Sequence, residues 1–188
     1  LQAPATPIDL GQVVVDGGSP RPFASSLCVG FDAAVGARAL QAPGWLRGMP
    51  RYLLATLQTL AELRAYPVRL QIDGAPGPSG PCLFVSSLNT PTYASGMPVA
   101  PGARLDDGQL SLVRAAALGR LGTLLALPLL LSGLHLHHPR IRLQGFRHLR
   151  LSSDEPLPLA LDGEPVPPGR IIEVRVQPAT LRVVAAQR

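Results

Sequence analysis

VRLQIDGAPGPSGPCLFVSSL, residues 68–88, decides the fold class of this chain. Val68, Leu70 and Ile72 alternate with Arg69, Gln71 and Asp73, the period of a strand with one wet face. Glycines and prolines then punctuate Gly74–Pro81, a hairpin loop, and Cys82–Leu88 reads as the returning strand. Upstream, Gly11–Asp16 and Pro22–Gly30 read as two strands joined by the Gly17-Gly18-Ser19-Pro20 turn. A helix is predicted over Pro50–Leu63, with Pro50 in its first turn and Leu53, Leu54, Leu57, Leu60 and Ala61 at helical spacing. It stops near Tyr66-Pro67, because the residue before a proline avoids the helical region.

Downstream lie a long loop over Asn89–Asp107, a strand over Gln109–Ala115 and a second helix over Ala117–Leu131. After that the pattern is strand only. Ile141 and Leu143 are in phase with each other, and Gly145 is expected to supply a bulge that shifts the phase to Leu149 and Leu151. Leu157–Leu161, Ile171–Val176 and Leu181–Val184 complete the set. The expectation is a mainly β chain: a β-sandwich of short antiparallel strands with two covering helices, in a single domain over residues 1–188.

Composition agrees. The 188 residues are 46% hydrophobic but only 4% aromatic, so the core must be aliphatic. Nineteen glycines and 21 prolines call for many turns. The formal charge of +5 comes from arginine, since the chain has no lysine. That reads either as coding bias or as attraction to phosphates and anionic lipid headgroups, which suit guanidinium forks. Nucleic acid is disfavoured as a partner, because the arginines are scattered and stacking aromatics are scarce. Cys28 and Cys82 sit in apolar runs and read as buried thiols of a cytoplasmic protein. Leu124–Leu131, broken by Pro128, is too short to span a bilayer. The first residue is Leu1 and the first element reads as mid-protein, so an excised or processed domain is expected.

Two turns could carry chemistry. Asp106 and Asp107 precede Gly108 and could offer hard oxygen ligands to Mg²⁺ or Ca²⁺, although Asp-Asp-Gly is also a common turn sequence. Asp162-Gly163-Glu164 is either a hairpin with solvated acids or a stiff turn presenting a general base. His135, His137 and His138 do not converge easily on one metal, and a helix C-terminus interacting with the histidines accounts for them better. Ser25-Ser26 lacks any triad or nucleophile-elbow context. No Gly-x-x-x-x-Gly-Lys and no Gly-x-Gly-x-x-Gly occurs, so the chain shows no phosphate-cradling loop.

Read in order, several segments resemble the second domain of the diacylglycerol kinase and sphingosine kinase family of lipid kinases. They are IDLGQV at Ile8–Val13, FASSLCVGFDAAV at Phe23–Val35, the Met49–Leu60 helix, and Asn89, Tyr93, Gly96, Met97, Ala100, Pro101, Ala103, Asp107 and Gly108 of a long loop signature. Leu161–Glu164 and Pro178-Ala179 with Leu181 follow in register. The resemblance implies the lipid-substrate domain of an ATP- and Mg²⁺-dependent lipid kinase acting on diacylglycerol or a related lipid alcohol. It also implies an N-terminal nucleotide-binding domain, absent here, as partner. Glu164 matches an acid proposed as general base, and Asp106 and Asp107 match a loop that binds a structural Mg²⁺ in some members. Asp32 falls where sphingosine-type members place an acid near the headgroup. Asn89, Gly96 and Asp162 match loop and turn positions. Ala94 and Ser95 replace two glycines of the signature, which stiffens the loop, and Arg104 stands where metal-binding members offer another acid. A reading from another class is a non-catalytic lipid-binding or regulatory module on the same sandwich. The lipid substrate and a peripheral membrane contact are the remaining expected partners.

Overall fold

Asp-Gly dipeptides set two of the tightest turns. Asp73-Gly74 adopts φ 51 and 82, and Asp162-Gly163 adopts φ 47 and 89. Both residues of each pair are left-handed, which is what a two-residue hairpin demands and what Asp-Gly supplies at least cost. The computed structural model describes residues 5–93 and 96–184. Its elements are β1 (Ala5–Val15), β2 (Arg21–Phe23), β3 (Ser26–Gly30), α1 (Phe31–Leu40), α2 (Met49–Ala61), β4 (Tyr66–Ile72), β5 (Ala75–Pro76) and β6 (Gly80–Leu88). There follow β7 (Leu110–Ala116), α3 (Arg120–Leu131), a 3₁₀ turn (Leu134–His137), β8 (Ile141–Phe146), β9 (His148–Leu161) and β10 (Glu164–Val184).

Every pairing between these strands is antiparallel. The long strands pass between two layers. β9 pairs β4 through Arg69↔Ser152 to Ile72↔Leu149, and pairs β3 through Leu27↔Leu161 to Val29↔Leu159. β6 likewise meets β4 near Cys82 and β3 from Phe84 to Leu88. One layer is therefore β2, β1, β10, the start of β9 and β4. The other is the end of β9, β3, β6, β7 and β8. Leu149, Leu151, Leu157, Ile172 and Val174 fill the space between the layers and are at most 2% exposed.

The helices cover the second layer only. Phe31, Val35 and Ala39 of α1 and Ala55 of α2 form a second core with Leu83, Val113, Ala115 and Ile141 from the sheet. The sequence pattern follows from this. β4 alternates because its outer face is wet, whereas Cys82–Leu88 is buried throughout because both its faces are covered.

The mainly β sandwich is as expected, but four details differ. The strands are not all short: the last expected segments merge into β9, of 14 residues, and β10, of 21. Three α-helices form among the described residues, not two. The additional helix is α1, where Phe31, Val35 and Ala39 recur at i, i+4 and i+8; the sequence reading ends the strand at Gly30 and assigns no element there. Gly30, at φ 103, ends that strand; a Cβ there would lie 2.8 Å from the Leu83 carbonyl. Gly145 is not a bulge, since β7 and β8 pair without a shift from Leu110↔Phe146 to Ala115↔Ile141. The phase changes at Arg147, between β8 and β9, and Gly145 instead makes room for the Gln109 carboxamide. The second helix begins at Arg120, three residues later than expected from Ala117.

Candidate functional site

The bend at Ala24–Ser26, between β2 and β3, gathers several of the residues singled out from sequence. The backbone amides of Ala24, Ser25 and Ser26 all donate to the Asp162 carboxylate, at 2.8, 2.8 and 2.9 Å. From the other side Asn89, fully buried, donates its side-chain amide to the Ala24 and Asp9 carbonyls at 3.0 and 2.8 Å. Its backbone N–H reaches the Ser25 carbonyl at 2.8 Å. Asp162 and Asn89 thus hold one strand break from both sides, and their role is positional. Gly96, at φ 95, lies in the turn where Tyr93 and Met97 exchange backbone bonds. Ala94 and Ser95, the expected stiffening replacements, lie outside the described residues.

Past this bend a cavity of about 320 Å³ opens between the helices and the second sheet layer. Phe31 and Val35 of α1, Tyr52 and Thr56 of α2, and Ala126 and Leu127 of α3 wall it. Asp162 and Gly163 stand at its edge. Its surface is predominantly apolar, and Asp32, in the first turn of α1, is among the polar residues that line it. Ser86 of β6 donates to one Asp32 oxygen, and the Ala33 amide donates to the other at 2.8 Å. Burial among apolar walls raises the Asp32 carboxyl to about 6, against the opposing pull of the Ser86, Ala33 and Cys28 hydrogen bonds. Burial, then the charge of Asp32, pushes the Cys28 thiol and the Tyr93 phenol well above their ordinary ranges. Both therefore stay neutral beside it. The fully buried Thr123 hydroxyl also lines the cavity and has no protein partner among the described residues. Asp32 and Thr123 together offer an apolar ligand an acceptor and an unused hydroxyl.

Glu164 opens β10 immediately after the Asp162-Gly163 turn, exposed, one residue beyond the cavity edge. Asp106 and Asp107 are exposed in their turn. Asp106 accepts from the Arg104 guanidinium at 3.3 Å, and Asp107 accepts from the Gln109 amide at 3.0 Å. Among the described residues no third acid, histidine or cysteine joins them, so a divalent cation here would need backbone carbonyls and water for its remaining ligands. The residue that fastens their loop is Asp9, buried in β1, which accepts from the Gly108 amide at 2.7 Å and the Ala179 amide at 2.8 Å. Its own N–H donates to the Leu105 carbonyl at 2.6 Å.

The histidines diverge. His135 is fully buried with Nε2 2.9 Å from the Val99 carbonyl; burial lowers its pKa, against that hydrogen bond. His137 faces the Leu134 carbonyl, and His138 accepts from the Arg140 amide. The dipole explanation therefore does not describe His135, which is held neutral. Sequence reasoning missed Asp9, Ser86 and Thr123. Asp9 sits in an ordinary strand pattern, and Ser86 and Thr123 gain meaning only from what they face. Both cysteines are free and buried, as expected.

Residues 25–185 match the family described as YegS C-terminal NAD kinase beta sandwich-like domain. A diacylglycerol kinase of Mycobacterium tuberculosis (strain ATCC 25618 / H37Rv) is 33% identical over 128 residues, which is 68% of this chain and 41% of that protein. A diacylglycerol kinase of Staphylococcus carnosus (strain TM300) is 32% identical over 115 residues, 60% of this chain and 37% of that protein. The crystal structure of a diacylglycerol kinase from Bacillus anthracis str. Sterne shares the fold with a TM-score of 0.61 at 13% identity, covering 97% of this chain and 55% of that one. The chain thus spans about half the length, or less, of the proteins it matches.

Proposed function

The chain belongs to the YegS C-terminal NAD kinase beta sandwich-like family, and from that premise we propose that it is the lipid-substrate half of an ATP-dependent lipid kinase. The observation that carries this reading is the apolar cavity with Asp32 in its wall, the Asp32 carboxylate held from behind by Ser86. Such a space suits a hydrocarbon chain, with a polar anchor that fixes the depth at which the lipid sits. The substrate class is diacylglycerol or a related lipid alcohol. The relatives' remaining length fits a separate nucleotide-binding domain, which would bind ATP with its Mg²⁺ and face the cavity edge.

In this proposal the lipid hydroxyl attacks the γ-phosphorus of ATP. A new oxygen–phosphorus bond forms, the β–γ bridging bond breaks, and ADP leaves. The hydroxyl proton passes to Glu164, placed next to the cavity edge on the rigid Asp162-Gly163 turn. A positioned base of this kind contributes roughly 10²- to 10⁴-fold. Mg²⁺ supplies charge neutralisation on the phosphates. Asp162 positions the turn through three backbone bonds, and Asp32 anchors the lipid. Asp106 and Asp107 are assigned the holding of their loop. Without phosphates placed opposite, the isolated chain is expected to be inactive.

The test is phosphate transfer from labelled ATP to diacylglycerol and to sphingosine by the complete protein carrying this chain. Wild type is expected to label a lipid alcohol, Glu164→Gln to lose about a hundredfold in turnover, and Asp32→Asn to raise KM for lipid but not for ATP. Absence of transfer to any lipid alcohol overturns the assignment, and near-normal turnover by Glu164→Gln moves the base elsewhere.

A further inference from the structure

Two of the helices that wall the cavity, α2 and α3, are apolar on their outer faces too. Along α2, Tyr52 and Thr56 face the cavity while Leu53, Leu54 and Leu57 are 39–55% exposed. Along α3, Thr123, Ala126, Leu127 and Leu130 face inward, spaced as one side of a helix, while Leu121 and Leu125 are 69% and 65% exposed. Trp45, in the connection between α1 and α2, is 81% exposed. A helix that is apolar all round belongs either in a core or in contact with lipid. Exposed apolar area concentrated on one side marks an interaction surface.

Charge narrows the partner. No Asp or Glu occurs between residues 33 and 61 or between residues 108 and 153, the segments that build this side. Arg47, Arg51, Arg120 and Arg140 lie in those segments, and none belongs to an ion pair among the described residues. A protein partner burying these leucines would have to meet several unpaired guanidinium groups. An anionic bilayer meets both demands at once, taking leucine and tryptophan into its interface and arginine against its phosphates. The geometry points to the outer faces of α2 and α3, with the Trp45 connection, as a docking surface for anionic membrane. Docking there sets the cavity walls on the bilayer surface, so a lipid enters between helices already in contact with its source. The purpose of docking rests on the lipid-kinase reading; the docking itself does not.

The experiment is co-sedimentation of the complete protein with phosphatidylcholine vesicles, with and without phosphatidylglycerol, and no nucleotide. Wild type is expected to bind the phosphatidylglycerol vesicles at least tenfold more tightly, and less so as salt is raised. Leu53→Ser with Leu57→Ser and Leu125→Ser, or Arg47→Glu with Arg120→Glu, should each weaken that binding about tenfold. None of these side chains lines the cavity, so transfer to a dispersed short-chain diacylglycerol should be unchanged. Equal binding to both vesicle types, or variants that bind like wild type, overturns the inference. So does a Leu125→Cys thiol that stays unreactive in the folded complete protein without vesicles, since another part of the protein would then cover the surface. Vesicle binding that survives with no lipid phosphorylated leaves the docking surface standing and removes the kinase reading instead.

Discussion

The two hydrophobic layers of this protein are built to different standards. Between the sheets, Leu157, Ile172 and Val174 are fully buried, and the strand breaks are fastened by carboxylates. Asp9, Asp16, Asp73 and Asp162 each accept from two or three backbone amides at a turn or bulge. On the helical side no helix N-terminus has a side-chain cap among the described residues, and about 320 Å³ stands open. Uncapped helix ends and open apolar space both lower stability. The sandwich carries the fold, and the helical layer gives up stability where a ligand and a surface are to be met.

The largest effect should come from the fastened side. Asp162→Ala removes the acceptor for three amides and puts a Cβ without polar help at φ 47, and should cost about 3 kcal/mol, a fall in Tm of roughly 10 °C by calorimetry. Leu125→Ser, on the helical surface, should change Tm little. Equal losses in the two variants would erase the contrast.

Asp32→Asn should act in the opposite direction. The folded carboxyl titrates at about 6, above its ordinary value of 3.8, so holding it charged costs stability above pH 6, and that cost disappears as pH falls toward 4. Asn keeps one acceptor oxygen for the Ala33 amide and can turn its NH2 to donate to the Ser86 hydroxyl, so the variant should gain about 2 kcal/mol at pH 8 and nothing near pH 4. A destabilised variant at pH 8 would show that the carboxylate is structural.

His135 gives a smaller effect of opposite pH sense. Its pKa is lowered on folding, so the unfolded chain binds the extra proton first, and stability falls as pH drops below about 6.5. His135→Gln should reduce the difference in stability between about pH 7.5 and about pH 5.5, measured by calorimetry at both pH values. Smallest is Asp107→Asn, which weakens one exposed turn bond and should cost about 0.5 kcal/mol. Its Tm should not respond to Mg²⁺; a Mg²⁺-dependent Tm in wild type, lost in this variant, would place a cation at the loop.

The fold was more legible than the site for a physical reason. Val68–Ile72 alternates and Asp73-Gly74 turns because local rules dictate both, and such rules are written in consecutive residues. α1 was hidden because Gly30 turns a buried strand straight into a buried helix, with no polar cap to mark the junction. Within the site, Asn89 and Asp162 stood out through their turns, but their shared target at Ala24–Ser26 did not. The pairing of Asp32 with Ser86 spans 54 residues and depends on β3 lying beside β6.

The most direct test of the division of labour is Gly36→Phe in the complete protein. Gly36 lies in α1 on the cavity wall, and a Cβ added there meets nothing within 4 Å. A ring at this position should enter the cavity without straining the helix, where glycine is itself unfavourable by roughly 0.5–1 kcal/mol. The measurement is lipid phosphorylation with Tm and ATP affinity alongside. The expected result is a Tm equal to or above wild type, unchanged ATP affinity and at least a tenfold loss of lipid phosphorylation. Wild-type phosphorylation in a well-folded Gly36→Phe protein would contradict the cavity as the lipid site.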